Sequence, residues 1–173
     1  MKKLEKKSNP MKNFEIVKIV LSCGAVDKEL EKAQKLLTII SGGKPHITKS
    51  GPRTRIPDFK VTPGMELGTR ITLRNNFSEF LKRFLAAIGN TLKKRQIEDN
   101  HFSFGIKEYI EIPGIEYQRD IGIRGLNVTV VFSRPGKRVG IRKIKPGVIP
   151  KRQHVAKQDI INYMQDKYAT RFV

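Results

Sequence analysis

Residues 44–74 constrain the fold and the partner of this chain more than any other stretch. They begin as a short strand, continue through a long loop broken by prolines and glycines, and end in a clear strand at residues 66–74. Between residues 44 and 60, five cations face a single anion, Asp58; the cations are Lys44, Lys49, Arg53, Arg55 and Lys60. Such a stiff positive projection beside a sheet edge suits the phosphate backbone of a folded nucleic acid.

The charge of the whole chain also implies a polyanionic partner. Its 173 residues contain 35 Lys and Arg against 16 Asp and Glu, a formal net charge of +19. This excess indicates nucleic acid, an anionic membrane surface, or merely a very soluble protein. No apolar run is long enough for a transmembrane helix, and the basic N-terminus lacks the apolar core of a secretory signal. The single cysteine, Cys23, excludes an internal disulfide and fits a reducing compartment.

Hydrophobic periodicity predicts the order strand, helix, strand, strand, helix, irregular piece, strand, helix. This order is typical of an α+β fold, with a largely antiparallel β-sheet, helices packed on one face and the other face open for RNA. We expect an RRM/ferredoxin-like sandwich with basic loops. The aromatic ribonucleoprotein motif is missing, so stacking on single strands is not the expected binding mode. Asn76 and Glu79 predict a capping box at the second helix, and the cations at 93–95 suit its C-terminal end.

Two predicted strands place cations on the open face of the sheet. In residues 15–22, Val17, Ile19 and Leu21 share one face, and the other face includes Lys18 and Ser22. In residues 66–74, apolar side chains alternate with polar ones in the same way. The simpler explanation is a strand with one solvated face. The basic loop alongside favours RNA contact, through Lys18, Lys44, Arg70, Thr72 and Arg74.

A second basic stretch covers residues 134–152 and contains no acid. Its prolines and glycines predict an extended chain, which is either a solvated loop or an RNA contact. Its eight cations are Arg134, Lys137, Arg138, Arg142, Lys143, Lys145, Lys151 and Arg152. We therefore divide the chain into a basic flexible N-terminal arm (1–13), an α+β RNA-binding domain (14–134) and a basic C-terminal extension with a terminal helix (135–173).

The residue types indicate no catalytic site. The three histidines are scattered, and one cysteine cannot complete a zinc site. There is no phosphate-loop pattern, dinucleotide fingerprint or nucleophile elbow. A nuclease could recruit Mg²⁺ with the isolated acids, although internal ion pairs explain them better; these are Asp58, Glu66, Glu108 and Asp120. We predict no enzyme, no metal and no cofactor.

Five segments in sequence order resemble one known family. They are GGKPHITKS, ITLR, FSFGIKEYI, IEYQRDIGIRGLNVTVVFSRPG and KRQHVAKQDIINYMQDKY. The chain resembles the universal large-subunit ribosomal protein five family, in its archaeal and eukaryotic form, which is called protein eleven in eukaryotes. The resemblance covers nearly the whole chain after the N-terminal arm.

This resemblance implies a non-catalytic protein of the central protuberance, on the cytoplasmic ribosome. Its partners would be 5S rRNA on the open sheet face, large-subunit (23S-type) rRNA, P-site tRNA, large-subunit protein eighteen and small-subunit head protein thirteen. The family's 5S rRNA contacts fall on Ser22, Gly43, Phe59 and Thr72. Its tRNA and intersubunit loop falls on residues 49–58, with Lys49, Arg53 and Arg55 as backbone contacts. The 134–152 cations would contact other rRNA.

Three further hypotheses belong to other classes of function. A free-standing RNA-binding regulator or chaperone would use the same sheet face. A nuclease would need a metal-dependent cleavage activity. Membrane association would need the cations on one amphipathic helix, whereas they lie in loops and on a strand.

Overall fold

A mostly antiparallel sheet organises the fold in the computed structural model, which describes residues 9–173. The strands and helices in chain order are β1 (Glu15–Gly24), α1 (Lys28–Ser41), β2 (His46–Lys49), β3 (Glu66–Leu73), α2 (Phe77–Ala87), β4 (Thr91–Leu92), β5 (Ile97–Glu98), β6 (His101–Ile106), β7 (Leu126–Ser133), α3 (Arg138–Ile141), α4 (Lys157–Tyr168) and β8 (Arg171–Phe172). Residues 1–8 of the predicted N-terminal arm lie outside the described part of the chain.

The main sheet has six strands in the order β2-β3-β1-β7-β6-β5, and every neighbouring pair is antiparallel. The succession β1-α1-β2-β3-α2-β7, with β3 and β1 in the middle, matches the predicted RRM/ferredoxin-like arrangement. Strands β6 and β5 extend the sheet beyond β7. A separate pair, β4 and β8, is parallel. The predicted α+β fold class is confirmed.

The helices pack on one face of the sheet and bury a single main core. Alternate residues of β1, β6 and β7 point into it, including Leu21, Phe102 and Val130. Helices α1, α2 and α4 supply Leu37, Phe84 and Met164 from the other side. The same alternation leaves the opposite residues of these strands on the other face, which no helix of the described chain covers.

A β-bulge near the start of β1 corrects the predicted facing of that strand. The register with β7 shifts between Ile16 and Lys18. As a result, Val17 is exposed, whereas Ile16 packs partly buried against the core. Simple alternation was right for Ile19 and Leu21 but wrong for Val17, because the bulge inserts one extra residue.

The helix ends also differ from the sequence-based prediction. Asn76 is the N-cap of α2, but its backbone is left-handed and its side chain makes no capping bond, so the capping box is not formed. Helix α2 ends at Ala87, and Leu92 already belongs to β4. The cations at 93–95 therefore do not stabilise the end of this helix, and that interpretation was wrong. Gly42 ends α1 in the left-handed conformation, which glycine adopts without strain.

The C-terminal part of the chain folds into the same unit as the rest. Ile160, Ile161 and Met164 of α4 are buried in the main core, and β8 pairs with β4. Residues 135–152 are not simply extended, since they contain α3 and part of a 3-10 turn at Lys151–Gln153. The described residues include no helix with the length and apolar content to cross a membrane.

Candidate nucleic-acid interface

The open face of the sheet carries rows of polar side chains that cross five strands. Directly opposite residues in antiparallel strands point to the same side. One row joins His46 of β2, Arg70 of β3, Ser22 of β1, Asn127 of β7 and Gly105 of β6. This row brings Ser22 and Arg70, predicted from separate strands, next to each other.

The neighbouring rows continue this surface toward the start of β1. Thr72 lies opposite Val20, which lies opposite Thr129, and Ser103 completes that row. The next row contains Lys18, Val131 and His101, while exposed Arg74 directly follows β3. We call the surface formed by these rows and Arg74 the open face. It is broad, largely polar and positive.

The cations of the open face are not neutralised within the described chain. Four ion pairs form among residues 9–173: Lys49–Glu66, His101–Glu98, Arg124–Glu29 and Arg134–Asp159. None of them includes Lys18, Arg70 or Arg74. Arg70 and Arg74 are exposed and Lys18 is half-buried. These charges are therefore available to a polyanion.

The basic loop between β2 and β3, residues 50–65, projects from one end of the sheet. Its base closes through the Ser50 amide, which donates to the carbonyl of Met65 at 2.8 Å. Farther out, an isolated bridge pairs Ile56 with Val61. Arg53 and Arg55 are exposed along it. Lys49 pairs with Glu66 at 3.2 Å, but both side chains are well exposed, so this pair is weak.

The second basic stretch leaves the sheet at the opposite end. Strand β7 begins near the end of the sheet that carries the 50–65 loop and ends, seven residues later, at Ser133. At about 3.3 Å per residue, the two ends of β7 lie roughly 23 Å apart. The open face therefore stretches between two basic projections.

The four positions that the family resemblance assigned to 5S rRNA lie in three places. Ser22 and Thr72 are both on the open face. Gly43 lies in the turn before β2, where an added Cβ would be 3.1 Å from the Cδ1 of Ile71. Phe59 belongs to the 50–65 loop and is 77% exposed. Lys44 is exposed beside Gly43, just before the edge strand β2.

One predicted RNA contact is held inside the protein instead. The guanidinium of Arg134 donates to the Asp159 carboxylate at 2.9 Å and to the Arg152 carbonyl at 3.1 Å. Its side chain is only 18% exposed. Arg134 thus ties the basic stretch to α4, and it is not an available cation. Of the other seven cations of residues 134–152, six are exposed and Lys137 is partly buried.

The sequence interpretation missed the contribution of β6 and β7 to the open face. Ser103, Asn127 and Thr129 alternate with the buried residues of these strands. The signal was present in the alternation, since Val128 and Val130 pointing inward require Asn127 and Thr129 to point outward. Their place beside Ser22 and Arg70 depends on strand pairing, which alternation alone does not specify.

Cys23 is part of the core and not of the interface. Its thiol is buried and lies 3.3 Å from the carbonyl oxygen of Gly125. Burial raises the pKa of this thiol, which keeps it protonated and poorly nucleophilic. No group of His, Cys, Asp or Glu within residues 9–173 has the arrangement of a metal site.

The fold and the open face define an α+β protein with an RRM/ferredoxin-like sheet and a broad positive surface. A family model that describes the C-terminus of the ribosomal protein L5 family matches residues 66–163. The chain belongs to this family of ribosomal proteins, which confirms the resemblance drawn from the five segments. Membership gives the chain a structural role in the ribosome and not a catalytic one.

Archaeal relatives match almost the whole chain. A protein of Nanoarchaeum equitans named large ribosomal subunit protein uL5 is 32% identical over 169 residues, or 95% of this chain and 99% of the relative. Proteins of the same name are 36% identical over 167 residues in Sulfolobus acidocaldarius (94% and 93%) and 34% identical over 166 residues in Methanococcoides burtonii (94% and 97%). These relatives support the archaeal form of the family and a place on the cytoplasmic ribosome.

Proposed function

We propose that this protein is a structural constituent of the large ribosomal subunit that holds 5S rRNA on its open face. The carrying observation is that Arg70, Arg74 and Lys18 lie on an uncovered sheet face with no ion pair among the described residues. Small polar groups such as Ser22 and Asn127 lie in the same row as Arg70 and can donate or accept hydrogen bonds at the sugar-phosphate backbone. The surface suits recognition of a folded RNA by shape.

The two projections extend this function to further partners. The 50–65 loop presents Arg53 and Arg55 to P-site tRNA and to the small-subunit head, including its protein thirteen. The exposed cations of residues 137–152 contact large-subunit rRNA. Large-subunit protein eighteen binds beside this protein on 5S rRNA. The position of the projections, roughly 23 Å apart at opposite ends of one sheet, supports this division, because each can reach a different RNA segment.

The test of this proposal is the salt dependence of 5S rRNA binding. We expect the double substitution Arg70→Ala and Arg74→Ala to weaken binding in a filter assay. It should also make the plot of log K against log salt less steep, by roughly 0.7–0.9 for each phosphate that the variant no longer neutralises. The matched control, Lys32→Ala with Lys157→Ala, removes the same charge from exposed positions on the helix side. It should change the slope much less.

An unchanged slope in the Arg70 and Arg74 variant would remove the open face from the interface. Sedimentation separates the ribosomal role from that of a free-standing RNA-binding regulator. We expect the tagged protein to sediment with large subunits in a sucrose gradient. A protein that remained at the top of the gradient would support the regulator.

A further inference from the structure

The basic stretch after β7 forms a loop that is closed at its base. The Gln153 side-chain amide donates to the carbonyl of Pro135 at 3.0 Å, and Arg134 donates to the carbonyl of Arg152 at 3.1 Å. We call residues 135–153 the closed basic loop. Because its two ends are held together, its tip has a defined position relative to β7 and α4.

The interior of the closed basic loop is packed against itself. The amide of Gly147 donates to the carbonyl of Val139 at 2.9 Å, and the Arg142 guanidinium donates to the carbonyl of Lys145 at 2.7 Å. A Cβ at Gly147 would lie 2.8 Å from the Cγ1 of Val139, so only glycine fits there without a shift. The loop therefore has a conformation of its own before any partner binds.

This conformation leaves three large aliphatic side chains more than two-thirds exposed, and Val139 is 44% exposed beside them. Ile141 is 68% exposed, Ile144 is 80% exposed and Val148 is 96% exposed. They are interspersed with the exposed cations Arg142, Lys143 and Lys145 along the tip of the closed basic loop. Cations alone would explain contact with phosphates. The apolar side chains indicate that part of the partner's surface is not charged.

We propose that Ile141, Ile144 and Val148 pack into the minor groove of a folded large-subunit rRNA helix, while the neighbouring cations hold its phosphates. The proposal rests on the proposed function and names the contact made at this end of the sheet. A polyanion is the partner that complements this loop, because residues 135–153 contain cations and no acid. The minor groove of A-form RNA is wide and shallow and displays 2′-hydroxyls and base edges, and the ribose C–H groups beside them offer aliphatic side chains a contact between two rows of phosphates.

Two matched triple variants test this contact against purified 23S-type rRNA. The apolar variant carries Ile141→Ser, Ile144→Ser and Val148→Ser, and the charge variant carries Arg138→Gln, Lys143→Gln and Lys145→Gln, which leaves the hydrogen bond of Arg142 intact. We expect the apolar variant to bind about tenfold more weakly at every salt concentration with an unchanged salt slope, because buried apolar area does not release counterions. The charge variant should make the dependence of log K on log salt less steep, because fewer counterions are released on binding.

Weaker binding by these variants should not result from unfolding, because all six substituted side chains are at the surface. The urea midpoint of each variant should match that of the parent. Unchanged rRNA affinity in the apolar variant would overturn the inference. So would a cross-link from a photoreactive residue at position 144 to a ribosomal protein instead of rRNA, or binding to anionic phosphatidylserine vesicles that exceeds rRNA binding.

The inference and the proposed function fail in different ways. The proposed function fails if the Arg70 and Arg74 variant keeps its 5S rRNA affinity and salt slope. The inference fails if the apolar variant keeps its affinity for 23S-type rRNA. A parent protein that bound neither RNA would overturn both.

Discussion

Arginines with similar sequence surroundings have different roles in this protein. Arg70 and Arg134 both lie at strands rich in β-branched residues and near other cations. Arg70 points to the open face, whereas Arg134 is mostly buried against Asp159 in the first turn of α4. Ala156, the N-cap of α4, offers no side-chain oxygen, and polar links at this helix end come from the Arg134–Asp159 pair and from Asn100, whose side chain accepts from the Val155 amide at 2.8 Å.

At this scale we expect Arg134→Met to lower the free energy of unfolding by about 1–3 kcal/mol, because it leaves the partly buried Asp159 without its charged donor. Urea denaturation followed by circular dichroism measures the change. The control Arg138→Met removes an exposed cation from the same basic stretch and should stay within about 0.5 kcal/mol. Equal stabilities for the two variants would show that the Arg134 contacts contribute nothing.

At the scale of the element, β1 determines how the open face and the core are divided. Its bulge turns Val17 outward and Ile16 toward the core, and after it the alternation of Lys18, Ile19 and Val20 continues regularly. Lys18 therefore lies in register with Val131 on the open face. Because the bulge lies before the central part of β1, residues 18–22 keep a regular alternation between the open face and the core.

The bulge and simple alternation make opposite predictions about which residue, Ile16 or Val17, contributes more to the free energy of unfolding. Ile16→Ala should lower the free energy of unfolding by about 1–2 kcal/mol, since Ile16 packs against the core while partly exposed. Val17→Ala should cost less than about 0.5 kcal/mol, because Val17 is exposed. Chemical denaturation of both variants under one set of conditions decides this. A larger destabilisation by Val17→Ala than by Ile16→Ala would contradict the bulge and support uninterrupted alternation in β1.

At the scale of the whole molecule, the antiparallel sheet separates two basic projections. The 50–65 loop lies beyond the end of β1, and the closed basic loop lies beyond its start. The open face lies between them. Under the proposed function, this placement would let one small domain contact several RNA segments at once, since the projections leave the sheet at opposite ends.

If the proposed function is right, we expect 5S rRNA binding and the contacts of the 50–65 loop to be lost separately by mutation. Arg53→Ala with Arg55→Ala should spare 5S rRNA binding, because both residues lie on the 50–65 loop and not on the open face. The same variant should weaken P-site tRNA placement or subunit joining, measured by tRNA footprinting and by light scattering. A decrease in 5S rRNA affinity equal to that of the Arg70 and Arg74 variant would contradict this division.

Local features of the sequence were enough to predict most of the secondary structure and the charge of the surface. Period-two alternation places Arg70, Thr72 and Arg74 opposite Ile71 and Leu73 whatever the rest of the chain does, because successive side chains of a strand point to opposite faces. The positive charge is likewise a property of composition. Family segments added the identity of the partner, which the charge alone left open.

The tertiary structure decided which of these residues act together. Ser22, Arg70 and Asn127 form one row only because β1 pairs with both β3 and β7. Arg134 is mostly buried because its guanidinium donates to Asp159, 25 residues farther along the chain. Such contacts depend on the relative position of separate elements, which is fixed by packing against the common core. The sequence by itself determined a cationic α+β protein of a ribosomal family, and the pairing of distant strands and helices determined the surface that it presents.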